Sequence, residues 1–319
     1  MRNINGFDLL KYILSYFVIA IHCGLREYST AWMMVAEMAV PIYFVISGFL
    51  MFRSIYGGDF TRYIKRLVKM YALYTVIYFP LTLYGVNDLS LGEAILSILR
   101  GTFIVGENFY SWPLWYLWAL IGGAVIIKLL DKLKVSLEGC VILGFFLVLL
   151  ARAMGALHPF AESLPSKADT ELIKGYFDVF KTTRNALFTA IPYLSLGLLL
   201  RKYSSIFLAY KFVGLLIVAT SLALAYIFRV PYASQLLALI IVLVALKTNL
   251  KDKSFYVPLR NLSTLIYFLH MYLVWVFEYF NTGMSFISQW SCVSIVITLL
   301  SLLLLFLSRK YSRLETFYA

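Results

Sequence analysis

The chain has 319 residues, of which 62% are hydrophobic and only 14% charged, with a mean hydropathy of +0.84. Soluble domains run at about 45–50% apolar and about 25% charged residues, so this composition excludes a soluble globular protein and indicates a polytopic membrane protein. The net charge of +12 does not describe a nucleic-acid surface. Its Lys and Arg residues fall in short clusters between apolar runs, the pattern of a cytoplasmic membrane face in contact with lipid.

About ten windows are expected to cross the roughly 30 Å of hydrocarbon, several of them short or interrupted by Pro41, Pro80 or Pro192. They lie near 7–24, 31–52, 70–86, 112–130, 139–157, 186–200, 210–228, 232–247, 262–280 and 286–308. The predicted architecture is an all-α bundle of about ten transmembrane helices, forming one domain over residues 1–319. The first window follows a short basic start without a small-residue cleavage site, so it is expected to be a retained span. Of the 28 Lys and Arg residues, 19 fall on the side shared by the two ends of the chain. The other side holds Arg26, Arg100, Arg152, Lys167, Lys174, Lys181, Arg184 and Arg229. The positive-inside rule then places both termini in the cytoplasm.

Two stretches between spans stand out. Residues 87–111 contain a short amphipathic helix near Glu93–Arg100. Residues 158–185, with Glu162, Lys167, Asp169, Glu171, Asp178 and Arg184, form the longest predicted outer loop. Such a loop is either a binding element or a solvated connector. Cys23, Cys140 and Cys292 are odd in number and far apart, so no disulfide framework or metal motif is expected.

Ionisable residues inside the apolar windows are costly and usually face the protein interior or a wet cavity. The first span carries Asp8, Lys11 and His22. Asp8 and Lys11 are three apart and share a helix face, where they are expected to pair. His22 lies eleven residues beyond Lys11, about three turns, on roughly the same face. The first span thus has one polar stripe. An imidazole titrates near neutral pH and is suited to general-base work, although a lone histidine in an apolar helix is often structural.

The second span reads Tyr43-Phe44-Val45-Ile46-Ser47-Gly48-Phe49-Leu50. Its Ser47 and Gly48 suit close helix packing; the alternative for Ser47 is an acyl-enzyme nucleophile, for which no base is evident beside it. A basic loop is predicted to follow, with Arg62, Lys65, Arg66 and Lys69. Arg66 and Lys69 are three apart. They suit either anionic lipid or the phosphates of a cytosolic ligand. Trp115 and Tyr116 sit at a predicted outer interface, where aromatic belts are expected, and His270 lies about 12 Å into the span from Leu262, where a hydrogen bond within the bundle is the plain reading.

In order and spacing, these motifs resemble the membrane acyltransferase-3 family of bacterial O-acyltransferases. The matching residues are Asp8-Leu9-Leu10-Lys11 with His22, the 43–50 stretch, Arg66-Leu67-Val68-Lys69, Leu114-Trp115-Tyr116-Leu117 and Tyr267-Phe268-Leu269-His270. Lys11 and Lys69 stand where the family usually has arginine. Trp115-Tyr116 and Thr183-Arg184-Asn185 resemble the subgroup that includes the membrane half of vancomycin-type serine/alanine racemases. Those proteins carry a pyridoxal-phosphate domain after the membrane part, and none is expected of a chain ending at Ala319.

The resemblance implies a multi-pass cell-membrane enzyme that uses acyl-CoA as a co-substrate and holds no bound cofactor. The acceptor would be a hydroxyl of an extracytoplasmic glycan, lipid or cell-wall precursor. His22 would be catalytic, with Arg66, Lys69, Lys11 and Asp8 on the donor side. Ser47, Trp115, Tyr116, His270 and Arg184 would line the substrate. The competing expectation is a small-solute transporter for a serine-type amino acid, since buried Asp, Lys and His suit transport as well.

Overall fold

The computed structural model describes residues 4–163, 167–248, 250–251, 254–280 and 283–318, with the side chains of 161–168 also undescribed. Glu162 and Lys167 of the predicted outer loop therefore lie outside the described side chains, as do Arg2 and Lys253 of the charge count. In chain order the helices are α1 (Asn5–His22), α2 (Leu25–Tyr28), α3 (Thr30–Glu37), α4 (Ala39–Tyr56) and α5 (Phe60–Gly85). There follow α6 (Leu91–Arg100), α7 (Leu114–Lys132), α8 (Leu137–Leu157), α9 (Lys167–Phe180) and α10 (Ile191–Lys202). The last five are α11 (Ser204–Ala209), α12 (Phe212–Ile227), α13 (Ala233–Lys247), α14 (Tyr256–Tyr279) and α15 (Phe286–Ser308). No strand occurs among the described residues.

Each of the ten predicted windows is helical. Six helical stretches are long and apolar enough to cross a membrane. These are Thr30–Tyr56, Phe60–Gly85, Leu114–Lys132, Leu137–Phe160, Tyr256–Tyr279 and Phe286–Ser308. The other four windows fall short for physical reasons. Helix α1 carries Asn5, Asp8, Lys11 and His22, while α10, α12 and α13 have 12, 16 and 15 residues.

Four features depart from the sequence reading. The basic stretch 62–69 is not a loop but the first turns of α5. Helix α14 begins at Tyr256, six residues before its window, so Arg260 lies inside it. The outer stretch 158–185 contains α9 and a 3₁₀ turn over His158–Ser163. The second window is also divided. A proline ring clashes with the carbonyl four residues back, and Pro41 would meet that of Glu37, where α3 stops. Helix α6 has the expected amphipathic form. Ser90 and Glu93 close a capping box at its start, while Leu91, Ile95, Leu96 and Leu99 remain exposed.

The chain divides into two compact units. One comprises Met1–Tyr43, Ser205–Phe228 and Leu236–Ala319. Within it, α1 packs along α14, with α3 and α15 against α1 and α15 also against α14. Gly6 lets the first turn of α1 approach the end of α13, because a Cβ there would stand 2.1 Å from the Ala245 carbonyl oxygen. Tyr16 accepts a hydrogen bond at its backbone oxygen from Trp290 Nε1 (3.1 Å), and its hydroxyl meets Thr298 Oγ1 at 2.8 Å. Both contacts tie α1 to α15.

The other unit comprises Phe44–Ser204 and Arg229–Gln235. Here α10 packs on α8 and α7, and α5 packs on α7. The crossing of α4 and α10 is made by glycine. A Cβ on Gly197 would stand 2.1 Å from the Val45 carbonyl oxygen, and one on Gly48 would stand 2.3 Å from that of Leu194. Only hydrogen fits at either point, which is how membrane helices achieve contact without a hydrophobic driving force between them.

Candidate functional site

The polar stripe of α1 meets a matching stripe on α14 at two levels. At the lower level, Asp8 is 4% exposed and is held by two cations. Lys11 Nζ stands 3.2 Å from Asp8 Oδ1. Arg260 donates from Nε to Oδ1 and from Nη2 to Oδ2, both at 3.1 Å. This fork-to-fork geometry fixes both partners as well as neutralising them. Tyr43 adds a 2.7 Å hydrogen bond to the Lys11 carbonyl oxygen. The expected Asp8–Lys11 pair is thus part of a triad. The sequence reading does not include Arg260, because the apolar window starts at Leu262 and assigns the arginine to the preceding loop. An arginine ten residues before His270 was the available signal.

At the upper level, the His22 and His270 rings lie 5.4 Å apart between centroids, tilted by 37°. His22 is half-buried and His270 is fully buried. His270 Nδ1 lies 3.0 Å from the Ile266 carbonyl oxygen, and its Nε2 has no hydrogen-bond partner among the described residues. The ion cluster and the imidazole pair together make α1 and α14 parallel neighbours. Asp8 and His22 are about 21 Å apart along α1 at 1.5 Å per residue.

The second unit holds a separate group of the candidate residues. Ser47 Oγ and Tyr116 Oη share a 2.8 Å hydrogen bond. The Phe44 ring touches both Tyr116 and Trp115, at 4.6 and 6.0 Å between centroids. Arg184 lies over the Trp115 ring at 5.4 Å and pairs with Glu107 at 3.7 Å. Asn185 caps the following turn, its Oδ1 accepting from the Leu187 and Phe188 amides at 3.0 Å.

Glu107 is not among the residues that the sequence singles out. Its side chain is 16% exposed, and its Oε2 has no hydrogen-bond partner among the described residues. The preceding Gly106 has φ +89°, and Asn108 bonds back to Thr102, so the turn folds the carboxylate inward. Gly106-Glu107-Asn108 signals a turn in sequence, but not which way the acid points. Burial pushes the Glu107 carboxyl above its ordinary range, and Arg184 opposes that rise. Arg66 and Lys69 are exposed on the first turns of α5, with Arg66 6.0 Å from the Tyr63 ring centroid.

Comparison with known proteins agrees with this arrangement of motifs. Residues 4–306 match the family described as an acyltransferase domain. A serine/alanine racemase of Enterococcus gallinarum is 27% identical over 243 residues, covering 68% of this chain and 33% of that protein. An amino-acid racemase of Enterococcus faecalis is 25% identical over 205 residues, covering 61% and 28%. The chain therefore spans about a third or less of the curated relatives it matches. No solved structure matches it. With the family match covering nearly its whole length, the chain belongs to the membrane acyltransferase-3 family.

Proposed function

We propose that this protein moves an acetyl group from cytosolic acetyl-CoA to a hydroxyl of an extracytoplasmic glycan, lipid or cell-wall precursor. It would do so as a ten-span protein of the cell membrane with both termini in the cytoplasm. The observation that carries this reading is the imidazole pair, His22 and His270, in a chain of the acyltransferase-3 family. His22 takes the proton from the acceptor hydroxyl, whose oxygen attacks the thioester carbonyl. The C–S bond breaks, an ester forms, and the departing CoA thiolate recovers a proton. General-base catalysis of this kind is worth about 10²–10⁴-fold.

Arg66 and Lys69 are exposed and cationic, as contact with CoA phosphates requires. Asp8, Lys11 and Arg260 form a rigid charged end to the helix pair that carries the two imidazoles. Ser47, Trp115, Tyr116 and Arg184 are assigned to the substrate lining.

The test is reconstitution in liposomes with labelled acetyl-CoA and an envelope fraction. Wild type transfers label to the fraction. His22→Ala loses at least about a hundredfold in rate while remaining folded. Arg66→Ala raises the concentration of acetyl-CoA required. Normal transfer by His22→Ala removes that residue from the mechanism, and an unchanged donor requirement leaves Arg66 as a lipid contact.

A second reading is favoured by the racemase names of the relatives and by the charged triad. In that reading the protein carries a serine-type amino acid across the membrane. The same liposomes then accumulate labelled serine and leave acetyl-CoA unconsumed.

A further inference from the structure

The Ile266 carbonyl can only accept, so the 3.0 Å contact puts the ring hydrogen of His270 on Nδ1. In the neutral imidazole, Nε2 then carries a bare lone pair. That atom is buried and has no partner among the described residues. A buried acceptor left unmade is costly, and such exceptions call for a specific explanation. The ring centroid also lies 5.4 Å from that of His22, with the two planes tilted by 37°.

We propose that His270 is a binding residue for the acceptor, its Nε2 accepting a hydrogen bond from an O–H or N–H of the molecule on which His22 acts. The inference rests on the acyltransferase reading for the identity of that guest, but not for the state of the ring. The ring that carries this lone pair is the neighbour of the reacting imidazole, 5.4 Å away between centroids. It suits an acceptor carrying a second hydrogen-bond donor close to the hydroxyl that is acylated. His270 therefore contributes to the choice of acceptor and its orientation, while His22 performs the proton transfer.

The chain contains three histidines, so the experiment is direct. The full-length protein is labelled with 15N-histidine and placed in liposomes. His22→Gln and His158→Gln variants assign the resonances, and solid-state NMR reads each ring. The expected result is a protonated Nδ1 and an unprotonated Nε2 on His270, with Nε2 in dipolar contact with an exchangeable proton of water, the probe present throughout. A protonated Nε2, or one with no exchangeable proton near it, overturns the proposal.

A second arm uses acetyl transfer to muramidase-solubilised cell-wall fragments. Glutamine places its amide oxygen near the position of Nε2, whereas asparagine reaches only that of Nδ1. His270→Gln should stay within a few-fold of the wild-type KM for the fragments. His270→Asn and His270→Phe should raise that KM by about ten- to a hundredfold. The KM for acetyl-CoA should not move in any of them. An asparagine variant with wild-type KM overturns the proposal, because it retains only the structural contact to Ile266. If the wild type itself transfers nothing to any acceptor, the acyltransferase reading fails, and the ring state and water contact decide the binding role on their own.

Discussion

Glu107 is a mostly buried acid whose ion-pair partner is poorly placed to stabilise it. Arg184 stands at 3.7 Å and its side chain is 57% exposed, so solvent screens much of the attraction. Burial dominates and raises the folded-state pKa above the ordinary 4.5. A raised acid favours the folded state most where it is protonated in both states. That stability is lost as pH climbs from the unfolded value through the raised folded one. Glu107→Gln removes the loss. The variant should match wild type near pH 4 and exceed it at neutral pH by on the order of 1 kcal/mol. Thermal unfolding in detergent between pH 4 and 8 checks this. A wild type more stable than the variant at pH 7 would mean that Arg184 outweighs burial.

At the scale of helices, the Asp8–Lys11–Arg260 cluster fixes the register of α1 against α14, and its members should not act independently. Asp8→Asn leaves two neighbouring cations without their counter-ion and should cost about 3–5 kcal/mol. Arg260→Gln leaves Asp8 its bond to Lys11 and should cost less. The double variant should be less destabilised than the sum, and a thermal double-mutant cycle measures the difference. Additivity within about 0.5 kcal/mol would show the two residues to be uncoupled.

The same cluster marks where sequence reasoning succeeds and stops. Asp8, Lys11 and His22 share a face because helical phase is a local property, and local periodicity is legible in a single chain. That Arg260 completes the cluster from 252 residues away is a property of packing. The ten apolar windows are all helical, and in the six that are long and apolar enough to cross a membrane the helix satisfies backbone groups within the segment. Helix starts were less legible. α5 and α14 both extend through polar residues that hydropathy assigns to loops, which is why Arg260 is not legible as part of a span. Gly48 was readable as a packing residue from its neighbours in span two, but its partner across the crossing, Gly197, was not.

For the whole molecule, the number of spans turns on α12 and α13. At 1.5 Å per residue, α12 and α13 are about 24 and 22 Å long, shorter than the usual hydrocarbon thickness. Short spans are tolerated through local thinning and snorkelling of flanking cations. Lys211 lies just before α12, Arg229 just after it, and Lys247 at the end of α13. Residues 229–232 should therefore face the outside. Single cysteines in a background lacking Cys23, Cys140 and Cys292 test this with a membrane-impermeant maleimide on intact cells. Asp88→Cys and Glu171→Cys should label, whereas Asp59→Cys and Lys251→Cys should label only after permeabilisation. Val230→Cys is the critical position. Labelling in intact cells means that α12 and α13 both cross. Protection there would make them a cytoplasmic hairpin, reducing the number of spans by two and leaving the charge asymmetry of the remaining loops to set the orientation.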